Sequence, residues 1–366
     1  MTLTSSELGI KTKKNLLHFP IQSKYLKIWF DILTPKQLLF FEPMITRLKK
    51  DHTVICTSRK YREVTHLAKI RRLKVIVAGR HGGAERHGKL NASISRLSSL
   101  ARIIKEKSPD VLISFCSPEA ARIAFGFNIK HVAFQDSPHA EAVMRLTIPL
   151  VQKLLIPWVI PKKEFVRFGI DEKNIISYKA IDAAVIAKRK ISNSYTSLNN
   201  RKNTILIRVE EEQAAYSSKN SRIISIIKEI SEEFTDSDIV ALGRYSSQIR
   251  FLKKRFGKKV TILSKVVDGK KLLNACNVFV GSGGTMTAEA ALLGIPTISY
   301  NAVPNFIEKY LVLKKLVVRE NSPKRIVLVI KKFLKSTNKE TKLKAKKTLM
   351  QMEDPYQKLV KAINCL

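Results

Sequence analysis

The chain is short of acid. Among 366 residues, 30 are Asp or Glu and 67 are Lys or Arg, a formal net charge of +37. Such an excess attracts polyanions, whether nucleic acid, an anionic membrane surface or phosphorylated metabolites, and leaves the fold open. Cysteine is scarce: Cys56, Cys116, Cys276 and Cys365 have neither metal-ligand nor redox spacing. That excludes a disulfide-stapled scaffold, and no metal site is expected. Aromatic residues are only 7%, and no nucleic-acid motif interleaves with the basic runs, so nucleic acid is the less expected polyanion. No apolar run approaches the roughly 18 residues of a membrane-spanning helix; residues 146–161 are interrupted by Gln152, Lys153 and prolines. Residues 1–14 are polar and then basic, so no signal peptide is expected, and the expected location is cytoplasmic or peripheral to a membrane.

What the chain does contain is a rhythm. Short apolar strands at Lys27–Leu33, Thr53–Thr57, Leu73–Ala78, Asp110–Cys116 and His131–Phe134 alternate with helices. After a pause, a second series runs from Thr204 to Tyr300. Strand–helix alternation predicts parallel sheets with right-handed crossovers. Unalternating runs such as VLISF are those of strands buried on both faces. The expected fold is α/β, with two Rossmann-like, doubly wound parallel-sheet domains facing a cleft, a GT-B-like arrangement. The expected divisions are a loosely ordered basic leader at 1–23, an N-terminal domain at 24–175 and a linker region at 176–203. A C-terminal domain at 204–335 and a basic helix at 336–366 complete the chain. Between Lys324 and Lys347 there are ten basic residues and one acid, Glu340. That run is either a solvated face or a contact for an anionic membrane surface or lipid-linked acceptor.

The strongest local signal is a strand, Val278–Gly281, running into Ser282, Gly283 and Gly284, with a helix starting near Thr285. Glycines permit close backbone approach and positive φ. A helix N-terminus offers free N–H groups and a positive dipole end to a phosphate. Glu289 lies one turn in and leans back toward that mouth, where its carboxylate can accept two hydroxyl hydrogen bonds. Arg208 and Arg244 end the first two strands of the same unit and can fork onto a phosphate.

The other unit offers Asp136, His139 and Glu141 just past a strand end, with Ser137 as the expected N-cap. Titratable groups gathered there suit acid/base work. Equally, Glu141 and Arg145 are four apart and can simply pair on a helix. Asp31 and Lys36, after the first strand, and His81 and Gly82, after the third, are candidate substrate contacts on the same rim.

GGT-x-T-x-E-A-x-x-x-G-x-P from Gly283 to Pro296 resembles the nucleotide-sugar site of GT-B glycosyltransferases and of non-hydrolysing UDP-N-acetylglucosamine 2-epimerases. That resemblance implies diphosphate contact at Ser282, Gly283, Gly284 and Thr285, ribose contact at Glu289, a UDP-linked sugar as substrate and no tightly bound cofactor. The chain has one more residue than the epimerases between the Ser-Gly-Gly and the Glu. From about Lys27 to Ile330 it also resembles an archaeal member of the family filed as domain of unknown function 354. KIWFDI, Phe40-Phe41-Glu42-Pro43, Gly82-Gly83, Ser114–Arg122, Asp136–Glu141 and Arg145–Pro149 carry this. Relatives tend to be Pro-rich where this chain has Arg208–Gln213. The expected activity is metal-independent glycosyl transfer from a nucleotide-sugar. The alternatives are 2-epimerisation of a UDP-sugar, or a non-catalytic basic module for nucleic acid or an anionic membrane.

Overall fold

A computed structural model describes residues 25–83, 85–190, 203–210, 222–264, 267–300 and 302–366. The expected leader at 1–23 and most of the polar stretch before residue 203 lie outside the described residues.

The first unit contains β1 (Lys27–Ile32), α1 (Pro35–Leu48), β2 (Thr53–Lys60), α2 (Arg62–Ile70), β3 (Ile76–Arg80), α3 (Arg86–Lys107) and β4 (Val111–Ser114). It continues through α4 (Pro118–Gly126), β5 (Lys130–Phe134), α5 (Glu141–Thr147), β6 (Lys153–Pro157), α6 (Lys163–Val166), β7 (Ile175–Tyr178) and α7 (Asp182–Ala187). Its seven strands lie in the order β3-β2-β1-β4-β5-β6-β7. The second unit contains β8 (Asn203–Arg208), α8 (Ile223–Glu233), β9 (Ser237–Leu242), α9 (Ser246–Phe256), β10 (Thr261–Leu263), α10 (Gly269–Asn274) and β11 (Val278–Gly281). Then come α11 (Thr285–Leu292), β12 (Thr297–Ser299), α12 (Phe306–Leu313), β13 (Val318–Arg319), α13 (Pro323–Lys335), α14 (Lys339–Met350) and α15 (Tyr356–Asn364). Its six strands run β10-β9-β8-β11-β12-β13, and every described pairing in both sheets is parallel.

Both sheets are therefore doubly wound. Each reverses strand order once, at β1/β4 and at β8/β11, and the crevice outside those carboxyl ends is where such sheets bind ligands. Burial on both faces follows the pleat. Along β1, Ile28, Phe30 and Ile32 pack with α1, while Trp29 packs with Leu100 and Ile104 of α3. Phe30, Phe40, Phe41, Phe115 and Phe134 interlock at centroid distances of 5.0 to 5.7 Å. Edge-to-face pairs of this kind add about 0.5–1.5 kcal/mol each beyond area burial. They make a stiff floor beneath the carboxyl ends of β1, β4 and β5.

Two of the expected divisions need correction. Residues 176–187, expected to open the linker, belong to the first unit, in β7, which starts at Ile175, and α7. β7 reads poorly as a strand because it is a short edge strand with only Ile175 and Tyr178 buried. The single basic helix expected at 336–366 is two helices. α14 packs on α11, whereas α15 returns to the first sheet against β5, β6 and β7. The basic run of Lys324–Lys347 occupies α13 and α14. Ile326, Val327 and Ile330 anchor α13 in the second core, and no residue of the run lines the cleft. No described helix is long and apolar enough to cross a membrane.

Candidate functional site

The two strand-order reversals open onto one cleft of about 1110 Å³, walled by both units. On the second unit's side, β11 delivers Ser282, Gly283 and Gly284 to the wall, and α11 starts at Thr285. Gly283 has φ +77°, and a Cβ there would lie 2.5 Å from that of Ala302. Only glycine fits such a position. At Gly284, the N-cap, a Cβ would meet nothing within 4 Å, and no side chain caps the helix. The first-turn N–H groups of α11 thus start beside open cleft space.

Glu289, on the next turn, is buried yet lines the cleft. Burial pushes its carboxyl up to about 7; Arg189 opposes the shift and Asp268 adds to it. Arg189 and Asp268 form a buried, two-pronged pair at 3.2 Å and 3.2 Å, joining the end of α7 to the N-cap of α10.

Arg208 and Arg244 also line the cleft, as expected from their strand ends. Arg208 donates to Glu63 on α2 at 3.0 Å, an ion pair between the units. Burial and the neighbouring charge of Arg244 hold the Arg208 pKa down, against the attraction of Glu63. Two guanidiniums kept this close in a cleft favour an anion between them. Of the three acids after Arg208, Glu210 is buried and lines the cleft, while Glu211 and Glu212 lie outside the described residues.

Across the cleft, Lys36 sits between two carboxylates, 2.7 Å from Asp136 and 3.0 Å from Asp182. Its ammonium lies 4.5 Å over the ring of Phe115. Burial would depress Lys36, but both carboxylates outweigh it and raise its pKa. The carboxylates themselves part company. Burial works to raise Asp136, but Lys36 and hydrogen bonds, including one from Ser137, hold it low. Asp182 is raised to about 7, by burial first, against Lys36 and with Asp136 adding to the rise; Tyr178 donates to it at 2.5 Å. Neighbouring acids pushed apart in proton affinity are the usual arrangement for giving and taking a proton near neutral pH.

His139 is partly buried on the same wall, and its pKa is lowered, chiefly by burial. It lies in a turn rather than a helix. Gln135 Oε1 accepts from the N–H groups of Asp136 and Ser137, at 2.9 Å each. Ser137 therefore does not cap α5 but donates to Asp136 at 2.9 Å. Glu141 lines the cleft mouth, 62% exposed, and accepts twice from Arg145, which is 69% exposed and does not line the cleft.

His81 and Gly82 reach the cleft. His81 stacks on Tyr61 at 5.1 Å and accepts from the N–H of Gly83, so it shapes its own loop. Asp31 does not reach the cleft. It is fully buried beneath the floor, accepting from Arg96 and Thr57 at 2.6 Å each. Its alternate position on β1 turns it toward α3, whose Arg96 neutralises it, and Arg96 also meets Glu119 at 3.3 Å. Arg145 and Asp31 are thus the two sequence candidates that lie off the cleft wall. Asp182 is the functional candidate the sequence reading missed, because it lay in a segment read as linker.

The family model described as "Protein of unknown function (DUF354)" matches residues 26–365. An uncharacterized protein of Methanocaldococcus jannaschii is 26% identical over 344 residues, covering 90% of this chain and 95% of the relative. Among solved structures, the UDP-GlcNAc 2-epimerase from Neisseria meningitidis bound to UDP-GlcNAc superposes with a TM-score of 0.71 at 15% identity. That match covers 92% of this chain and 99% of the epimerase. The glycotransferase of kitacinnamycin superposes with a TM-score of 0.62 at 12% identity, over 93% of this chain and 98% of its own. The fold is therefore GT-B-like, and the chain belongs to the DUF354 family.

Proposed function

We propose that the chain is a nucleotide-sugar-dependent glycosyltransferase of GT-B type. The observation that carries this is the pairing, across one cleft, of the Gly283–Thr285 turn and Glu289 with the Asp136–Lys36–Asp182 network. In this reading the open N-terminus of α11 holds the donor diphosphate, and the Glu289 carboxylate accepts from the ribose hydroxyls. Arg208 and Arg244 stabilise the charge that develops on the leaving diphosphate. With that charge supplied by the chain, transfer is metal-independent. A UDP-linked sugar is the assigned donor, in line with the UDP-GlcNAc in the Neisseria meningitidis structure.

Asp136, held ionised by Lys36, takes the proton of an acceptor hydroxyl, with His139 and Glu141 bordering the acceptor's approach. Asp182 sets the proton affinity of the pair through Lys36. Tested by a thermal-shift panel of nucleotide-sugars, the protein is expected to be stabilised by UDP-linked sugars. No stabilisation by any nucleotide or nucleotide-sugar would refute the reading.

One observation favours a second reading, 2-epimerisation of a UDP-sugar. Two carboxylates with separated proton affinities can remove a proton from a sugar carbon and return it. Incubation with UDP-N-acetylglucosamine in heavy water separates the two: deuterium at C2 supports epimerisation, and sugar transfer to an added acceptor supports the transferase.

A further inference from the structure

The first unit's wall carries more positive charge than the nucleotide reading uses. Three of its acids are paired, Glu63 with Arg208, and Asp31 and Glu119 with Arg96, although Glu119 and Asp31 also attract Arg59. Arg62 donates to the carbonyl of Ser264. That leaves the rim at the ends of β2 and β3. Arg59 is the penultimate residue of β2 and Arg80 the last of β3, and parallel pairing of Lys60 with Arg80 brings both to one edge of the cleft. Arg59 Nε is buried without a hydrogen-bond partner. Lys89 joins them from the first turn of α3. The loop after β3 presses on that turn so tightly that a Cβ at Gly82 would lie 2.6 Å from the Lys89 Cα. No side chain caps this 22-residue helix.

We propose that Arg59, Arg80 and Lys89 form a second anion subsite, separate from the Gly283–Glu289 corner, and that it takes a phosphate group of the acceptor. A buried N–H with no acceptor, here the Nε of the partly buried Arg59, is costly unless an acceptor completes it, and phosphate matches the guanidinium fork. The inference deepens the transferase reading and rests on it for the word acceptor: the second substrate is a phosphorylated alcohol. In the step it serves, the acceptor hydroxyl oxygen bonds to the sugar's anomeric carbon and the bond from that carbon to the diphosphate oxygen breaks. Asp136 receives the hydroxyl proton, and the nucleoside diphosphate leaves with the electron pair. Rim cations fix the acceptor's phosphate so that its hydroxyl points into the cleft.

The test is calorimetric titration of inorganic pyrophosphate, and separately of glycerol phosphate, into the full chain with and without saturating UDP. Wild type is expected to bind either anion in the presence of UDP. Arg59→Gln and Arg80→Ala should each weaken that binding about tenfold or more, the loss of one charge-assisted hydrogen bond of about 1.5–3 kcal/mol. UDP affinity should stay within about twofold, at under 0.5 kcal/mol. Lys346→Ala, an exposed change on α14, should leave anion binding unaltered. Because Arg80 is exposed, its variant remains informative where a change at Arg59 prevents folding. Unchanged anion affinity in Arg80→Ala, displacement of the anion by UDP, or an equal loss in Lys346→Ala overturns the subsite. Failure of wild type to bind UDP, with anion binding still dependent on Arg80, removes the nucleotide reading and leaves the subsite standing.

Discussion

Arg208 Nη2 lies 3.0 Å from Glu63 Oε1, so the guanidinium assigned to the donor diphosphate is already tied to the opposite unit. Glu63 also accepts from the hydroxyl of Tyr61 at 3.1 Å. In the proposed reading, an incoming diphosphate would share Arg208 with that carboxylate or displace it.

Arg208→Ala is accordingly expected to weaken UDP binding about ten- to a hundredfold, the worth of a hydrogen bond to a charged group. Glu63→Gln leaves the guanidinium in place without its competitor and should tighten UDP binding a few-fold. Calorimetry on both variants checks the pair; weaker binding in Glu63→Gln would mean that the ion pair positions Arg208 rather than competes for it.

The two glycines of the donor turn should separate stability from binding. Gly283→Ala places a Cβ against Ala302 at positive φ and should lower stability by about 1–3 kcal/mol. A Cβ at Gly284 meets no neighbour and its φ is −82°, so Gly284→Val should melt close to wild type while its branched side chain intrudes on the proposed diphosphate position. Thermal denaturation with and without UDP distinguishes the two.

Glu289 makes two opposite pH signatures. Its folded pKa is raised to about 7, so the folded chain holds a proton that the unfolded chain, at about 4.5, has released. Its contribution to stability is full below pH 4.5 and is lost as pH rises through 7. Ribose hydroxyls need the ionised carboxylate, so the Glu289 contribution to UDP affinity should rise from pH 6 to pH 8. Glu289→Gln should flatten both trends. Melting curves and UDP titrations across that range provide the check, and an unaltered binding profile would take Glu289 out of the pocket.

Asp136→Asn should cost turnover about a hundredfold or more, the usual worth of a positioned base, with UDP binding nearly intact. Asp182→Asn removes a partner of Lys36 without touching the acceptor, so it should shift the pH–rate profile more than the maximal rate. Glu141→Gln breaks an exposed pair with Arg145, worth about 0–1 kcal/mol, and should fold as wild type. Its rate then says whether the mouth of the cleft takes part. Wild-type rates in Asp136→Asn would remove the network from the chemistry.

How much of this was legible in the sequence follows from distance along the chain. Gly281–Glu289 is one continuous strand–turn–helix, and its glycines and first-turn carboxylate can be placed from local rules. The Lys36–Asp182 contact spans 146 residues, and no local pattern announces it. Asp31 reads as a rim residue because a strand-end carboxylate is normally solvated. Arg96, 65 residues on, makes burial tolerable. Ser137 reads as a helix cap, but α5 starts only at Glu141, and the Ser137 hydroxyl donates to Asp136 instead.

α15 gives the molecule a second crossing between its halves. After α14, Glu353 exchanges hydrogen bonds with the backbone of Lys179, and Asp354 pairs with Arg47 at 2.5 Å, before α15 settles on the first sheet. The lobes are thus strapped together by two polypeptide segments instead of one. Parting the lobes at this second crossing means breaking the Glu353–Lys179 hydrogen bonds and the Asp354–Arg47 pair, not merely widening the cleft.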